Sequence, residues 1–190
     1  MKTHFLIVTF LITSCISAVA QDKKSLEVAA AKMYRNTVES NSAAMVEDMY
    51  PKYFETTPKQ TFIEATKKMD NPNFKMTVVS TPSNFEYGVI KKVDAGSYCV
   101  IKHDLLMKIA FKTILPPDEI DNMTASFKTN LKASEVVYKA ADNSFLIKKK
   151  EEVIAVADKL TNNQWKFIKK DHIAVMDKLL DKKVIKALGL

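Results

Sequence analysis

EVIAVADKLTNNQWKFIKKD, residues Glu152 to Asp171, decides how the rest of the chain must be arranged. Val153 to Ala157 is apolar on both faces of an extended chain, which suits a strand with neighbours on either side. Asn162-Asn163 supplies turn chemistry, and the return run alternates Trp165 and Phe167 on one face with Lys166 and Ile168 on the other. The spacing predicts a β-hairpin at the centre of a sheet. It carries packing and no chemistry, and no other stretch holds an unambiguous catalytic or ligand-binding set.

Working outward, the N-terminal part is helical and the middle is extended. Leu26, Ala29, Ala30, Met33, Thr37 and Val38 fall on one helical stripe between Lys24 and Ser40. Asn41-Ser42 interrupts it and opens a second helix presenting Met45, Val46, Met49, Tyr50 and Tyr53. Thr57-Pro58-Lys59-Gln60 reads as a capping box for a third helix with Phe62, Ala65 and Met69, which Asn71-Pro72-Asn73 ends. At Phe74 the period drops to two. Strands are expected at Phe74 to Val78, Phe85 to Val93 and Ser97 to Thr113. The last of these places Cys99, Ile101, His103, Leu105, Met107, Ile109 and Phe111 on one face and Tyr98, Lys102, Asp104, Lys108 and Lys112 on the other. Pro116-Pro117-Asp118 starts a helix with Ile120, Met123, Phe127 and Leu131 on one side, Val136 to Tyr138 fits either state, and Phe145 to Lys150 feeds the hairpin. Asp171 caps a last helix with Ile173, Met176, Leu180, Val184 and Leu188 as its apolar stripe.

The first twenty residues combine Lys2, an apolar run from Phe5 to Ile12 and Ala18-Val19-Ala20. This is the pattern of a secretory signal cleaved before Gln21, so residues 1–20 are set apart and 21–190 form one domain of periplasmic or secreted location. The apolar run is too short for a stable span, and no transmembrane segment is expected in the mature chain. Ile12-Thr13-Ser14-Cys15 resembles a lipobox, a second reading in which Cys15 is lipidated; the apolar Ile16 to Ala20 beyond it fits cleavage better. Losing Lys2 takes the formal charge from +7 to +6 and leaves Cys99 as the single thiol, so no internal disulfide is expected. Arg35 is the sole arginine among many lysines, which speaks against nucleic-acid recognition.

Helices first, then an antiparallel meander whose closing hairpin carries a tryptophan, resembles the nuclear transport factor two-like superfamily. The residues that carry the likeness are the helical block to Met69, with Tyr50-Pro51-Lys52-Tyr53-Phe54, and the closing VIAVADKLTNNQWKFIKKD. In particular, the chain looks like small exported bacterial members of that superfamily with no assigned activity. The resemblance implies an α+β fold in which N-terminal helices pack in a strongly bent antiparallel sheet, a cystatin-like or nuclear transport factor two-like cone, here with an added C-terminal helix. It also implies a pocket inside the cone.

In such a cone the face carrying His103 points inward, and His103 is the only titratable side chain among its apolar neighbours apart from the thiol of Cys99. Ile101, Leu105, Tyr34, Tyr53 and Trp165 complete the expected pocket wall. Cys99 lies four residues from His103, or ~13 Å at ~3.3 Å per residue, too far to share an ion or a proton. His172, past the last strand, reads as a helix-start residue. Superfamily isomerases and dehydratases use an acid or an Asp-His pair; Asp104 points to the opposite face, and Lys148 to Glu152 reads as a solvated strand edge, so no inward carboxylate is evident. Three glycines exclude a Gly-rich phosphate cradle, and no zinc or nucleophile-elbow motif occurs. The sequence therefore points to an exported, non-enzymatic domain without cofactor or metal. It would bind an apolar or amphipathic small molecule or an envelope protein, and could pair with a second copy through its sheet. A cofactor-free isomerase or lyase using His103 is the alternative.

Overall fold

A computed structural model describes residues 22–170 and 173–190. The leader with Cys15, and the expected cap Asp171 with its neighbour His172, lie outside the described residues. The architecture is α+β, with seven α-helices and seven strands among the described residues. Helix α1 covers 22–38, followed by α2 (Ser42–Asp48), α3 (Tyr53–Thr56) and α4 (Lys59–Lys67). Asn41 caps α2 by accepting from the Ala44 amide at 3.1 Å. The capping box expected at α4 does not form: Pro58 itself takes the N-cap position, leaving Thr57 one residue too far out, and Gln60 donates to Glu64 instead at 3.0 Å.

The strands are β1 (Phe74–Val78), β2 (Glu86–Tyr87), β3 (Lys91–Val93), β4 (Gly96–Phe111), β5 (Ala133–Lys139), β6 (Ser144–Ala157) and β7 (Lys166–Lys169). All pair antiparallel, in the order β1-β4-β6-β5, with β2 and β3 on β4 and β7 on β6, and the sheet does not close into a barrel. Its spine is the β4–β6 ladder, running unbroken from Ser97↔Ala157 to Ala110↔Ser144. The Phe145 and Val153 runs are thus one strand. The hairpin is present, with Val156 opposite Lys166 and both Asn162 and Asn163 at positive φ. Only β6 is central, however; β7 is a four-residue strand on its flank. Asp158 stiffens the turn, accepting from the amides of Leu160 and Thr161 at 2.9 and 3.1 Å, and receives the Tyr50 hydroxyl at 2.7 Å.

Three further expectations are refined. The stretch Phe85 to Val93 is two short strands, because Gly88 to Ile90 place three residues opposite Cys99 and Val100, a bulge that breaks the pairing. Val136 to Tyr138 is extended, paired with Ile147 to Phe145. The last helix is two, α6 (Ile173–Leu179) and α7 (Lys182–Leu188), divided where Asp181 turns extended.

Alternation along β4 and β6 gives the sheet two faces. On the odd-numbered face, Cys99, Ile101, Val153 and Ala155 pack with Leu26 and Ala30 of α1 and with Trp165 and Phe167. Trp165 is 9% exposed and donates from Nε1 to Ser25 Oγ at 3.0 Å, so the indole is buried without an unmet donor. Farther along the same face, α5 (Pro117–Asn130) closes over Ile109, Phe145 and Ile147. On the even face, Tyr98, Ile154, Val156 and Ile168 receive Met176, Leu179, Leu180 and Val184 of the C-terminal segment.

Candidate functional site

The odd face is incompletely covered where α1, α2 and α4 pass over it. A cavity of about 340 Å³ remains between these helices and β1, β4, β6 and β7. That is the size of a small-molecule site. Its wall is largely apolar and soft, with Met33, Met45, Met49 and Met69 beside the rings of Phe62 and Phe167. Among the described residues, neither α5 nor the C-terminal helices contribute to it. The charged side chains on the wall are Asp48, Glu151 and Lys169.

Of the pocket residues expected from sequence, Tyr34, Tyr53 and Leu105 line the cavity. Ile101 and Trp165 do not: they are packed against Leu26 and Ala30 in the core. His103 stands one layer back, 2% exposed, behind Tyr34 and Glu151. Tyr34 reaches it from α1, its hydroxyl hydrogen-bonded to His103 Nε2 and its ring edge-on to the imidazole at 4.6 Å. Phe85 closes the other side, 5.5 Å from each ring.

The inward carboxylate that the sequence reading found absent is Glu151. The β4–β6 register sets it directly opposite His103, with its Oε2 3.5 Å from Nε2, and it is 8% exposed. The Lys148 to Glu152 run is a solvated edge only in part: residues 150–152 lie between the last β5 pair at Lys149 and the first β7 pair at Val153, and the Lys150 side chain is 78% exposed, but Glu151 turns inward beside Tyr34 and His103. A signal was available: counting in twos back from Val153 puts Glu151 on the cavity side. Lysines on either side of it hid that step.

Burial alone would raise the Glu151 carboxyl, yet the hydrogen bond from His103 and the charges of Lys169 and Lys149 outweigh it and bring the group to about 2. Lys169 Nζ lies 3.3 Å from Oε1. Burial, reinforced by the neighbouring Glu151 charge, drives Tyr34 far above the ordinary phenol value, so its hydroxyl is a permanent donor. Tyr34, His103 and Glu151 thus form one polar knot in an apolar wall. His103 Nδ1 is buried and makes no hydrogen bond to protein. Asp48, 6% exposed, is held separately by Asn36 Nδ2 at 2.6 Å and Lys32 at 3.8 Å.

The remaining candidates stand apart. Cys99 is buried, its Sγ 3.3 Å from the Gly88 carbonyl, and burial pushes the thiol up to about 11. Asp104 faces outward between Lys148 and Lys150, each at 3.2 Å. Among the described residues, no cluster of three or more His, Cys, Asp or Glu could hold a metal ion, and no helix is long and apolar enough to cross a membrane. No known protein family, curated protein or solved structure matches this chain.

Proposed function

We propose that the protein is an exported binding domain of the nuclear transport factor two-like kind, which holds an apolar or amphipathic small molecule in the cavity under α1, α2 and α4. The observation that carries this reading is the cavity wall itself, four methionines and two phenylalanines around a few fixed polar groups. Thioether side chains repack at small cost, which suits a flexible apolar guest, and the fixed polar groups orient it. The leader pattern supplies the export half of the proposal.

The Tyr34–His103–Glu151 knot favours a second reading, a cofactor-free isomerase or lyase in which Tyr34 donates to a substrate oxygen. Its weakness is the base. A general base needs a free lone pair near the substrate and a pKa near the working pH. His103 is 2% exposed and does not line the cavity, so its ring nitrogens lie out of a guest's reach, and Glu151 at about 2 is a poor proton acceptor.

One experiment addresses both. Protein recovered from its native host is expected to begin at Gln21 and to raise the fluorescence of the neutral probe Nile red saturably, at one site. Ala65→Trp, which adds bulk at an exposed residue on the cavity wall, should abolish that signal while the melting temperature stays near the parent's. Unchanged Nile red binding in this variant removes the cavity as the site. A co-purified or added ligand recovered chemically altered transfers the function to the enzyme reading, and a product that keeps its first twenty residues removes export.

A further inference from the structure

The charges on the cavity wall define the kind of guest more narrowly than its apolar surface does. Two carboxylates, Asp48 and Glu151, face one ammonium, Lys169. Both carboxylates are buried, with side chains 8% exposed, whereas their cationic partners sit in water: Lys169 is 55% exposed and Lys32 is 67% exposed. A solvated lysine is screened and mobile, so it offsets the field inside the cavity only in part. The carboxylate of Glu151 is ionised at any working pH, since its carboxyl lies at about 2.

A carboxylate has about four lone-pair positions. Glu151 uses one side toward Lys169 and the other toward His103 and Tyr34, and Asp48 spends its oxygens on Asn36 and Lys32. Lys32 is a distant partner at 3.8 Å, and Lys169 can turn outward into solvent without burying an unpaired charge of its own. Both acids can therefore accept an incoming N–H donor. An anionic headgroup in the same space would meet two buried negative charges, and its desolvation would have no compensating cation beyond the one already engaged.

We infer that the guest carries a protonated amine at one end of an apolar chain, with the ammonium directed to Asp48 and Glu151 and the chain against the methionines. This inference rests on the cavity-binding reading above and assigns its ligand class.

The test compares three probes with one ten-carbon chain, decylamine, 1-decanol and decanoic acid, each below its micelle concentration, by Nile red displacement at pH 7. The protein's formal charge, +7 for the full chain and +6 once Lys2 is lost, biases non-specific attraction toward the acid, so an amine preference cannot come from the bulk charge. Decylamine is expected to bind at least ~10-fold tighter than decanol, with decanoic acid weakest. Glu151→Gln should shrink the ratio of amine to alcohol affinity, and Asp48→Asn supplies the same readout where the Glu151 variant does not fold. Equal affinities, a preference for the acid, or a ratio unmoved in the folded variants overturns the amine assignment and leaves the cavity reading standing. Displacement by none of the three likewise overturns the amine assignment, whereas failure of Nile red itself to bind overturns both.

Discussion

Two stretches of the odd face of the β4–β6 ladder, its Ile109–Phe145 end and its middle around His103 and Glu151, are roofed by different means. At one end α5 lays Phe127 onto Phe145 at 5.2 Å, with Tyr138 at 5.1 Å and Phe111 at 6.0 Å. In the middle, α1, α2 and α4 meet Leu105, Val153 and Phe167 through methionines and leave a cavity. Interlocking rings fill space to crystal-like density and are rigid, whereas unbranched thioethers bridge gaps without closing them. One sheet thus carries a solid support and an adaptable chamber on the same face, and the chamber lies where the ladder places its buried His103–Glu151 pair.

The largest test of that contrast is Phe145→Ala, which deletes a fully buried ring from the solid end. It should cost about 3–5 kcal/mol, as should Trp165→Ala in the core beside the chamber. Chemical denaturation reads both; a loss near 1 kcal/mol for Phe145 would mean the α5 end is as loose as the other. An intermediate effect belongs to Glu151. Its carboxyl falls from the usual 4.5 to about 2 on folding, so its stabilisation is complete above pH 4.5 and is lost as pH falls through about 2. That corresponds to roughly 3 kcal/mol across the window. Denaturant midpoints measured from pH 6 to pH 2 should fall less steeply for Glu151→Gln than for the parent, and identical slopes would mean Glu151 is not held ionised in the fold. The smallest effect is expected at Met45→Ala. This half-buried side chain already borders empty space, so truncation should cost about 1 kcal/mol or less. A cost comparable to Phe145→Ala would show that the chamber is closed in solution.

Much of this organisation is legible in the sequence because apolar periodicity reports burial directly. The alternation from Cys99 to Phe111, the proline start of α5 and the Asn162-Asn163 turn all describe local geometry, and local geometry is what spacing encodes. The site was legible in half. His103 and Tyr34 stood out, one as an imidazole on an apolar face and the other as a hydroxyl on the helix stripe. Glu151 did not, because its burial depends on Tyr34 of α1 and His103 of β4 meeting it across the fold, a long-range fact that five consecutive charged residues disguise. The capping box at Thr57 failed for the opposite reason: the motif is present, but a one-residue shift by Pro58 takes it out of register.

Cys99 has a consequence for the protein's durability. It is the one cysteine among the described residues, wholly buried, and its thiol at about 11 is almost entirely protonated at neutral pH. Thiolate is the species that attacks disulfides and oxidants, so this sulfur is shielded twice, by access and by protonation. In an oxidising medium the folded domain would neither cross-link to another copy nor exchange with glutathione. The wear it would suffer falls first on the thioethers of the cavity, with Met69 the most open of them at 44% exposed.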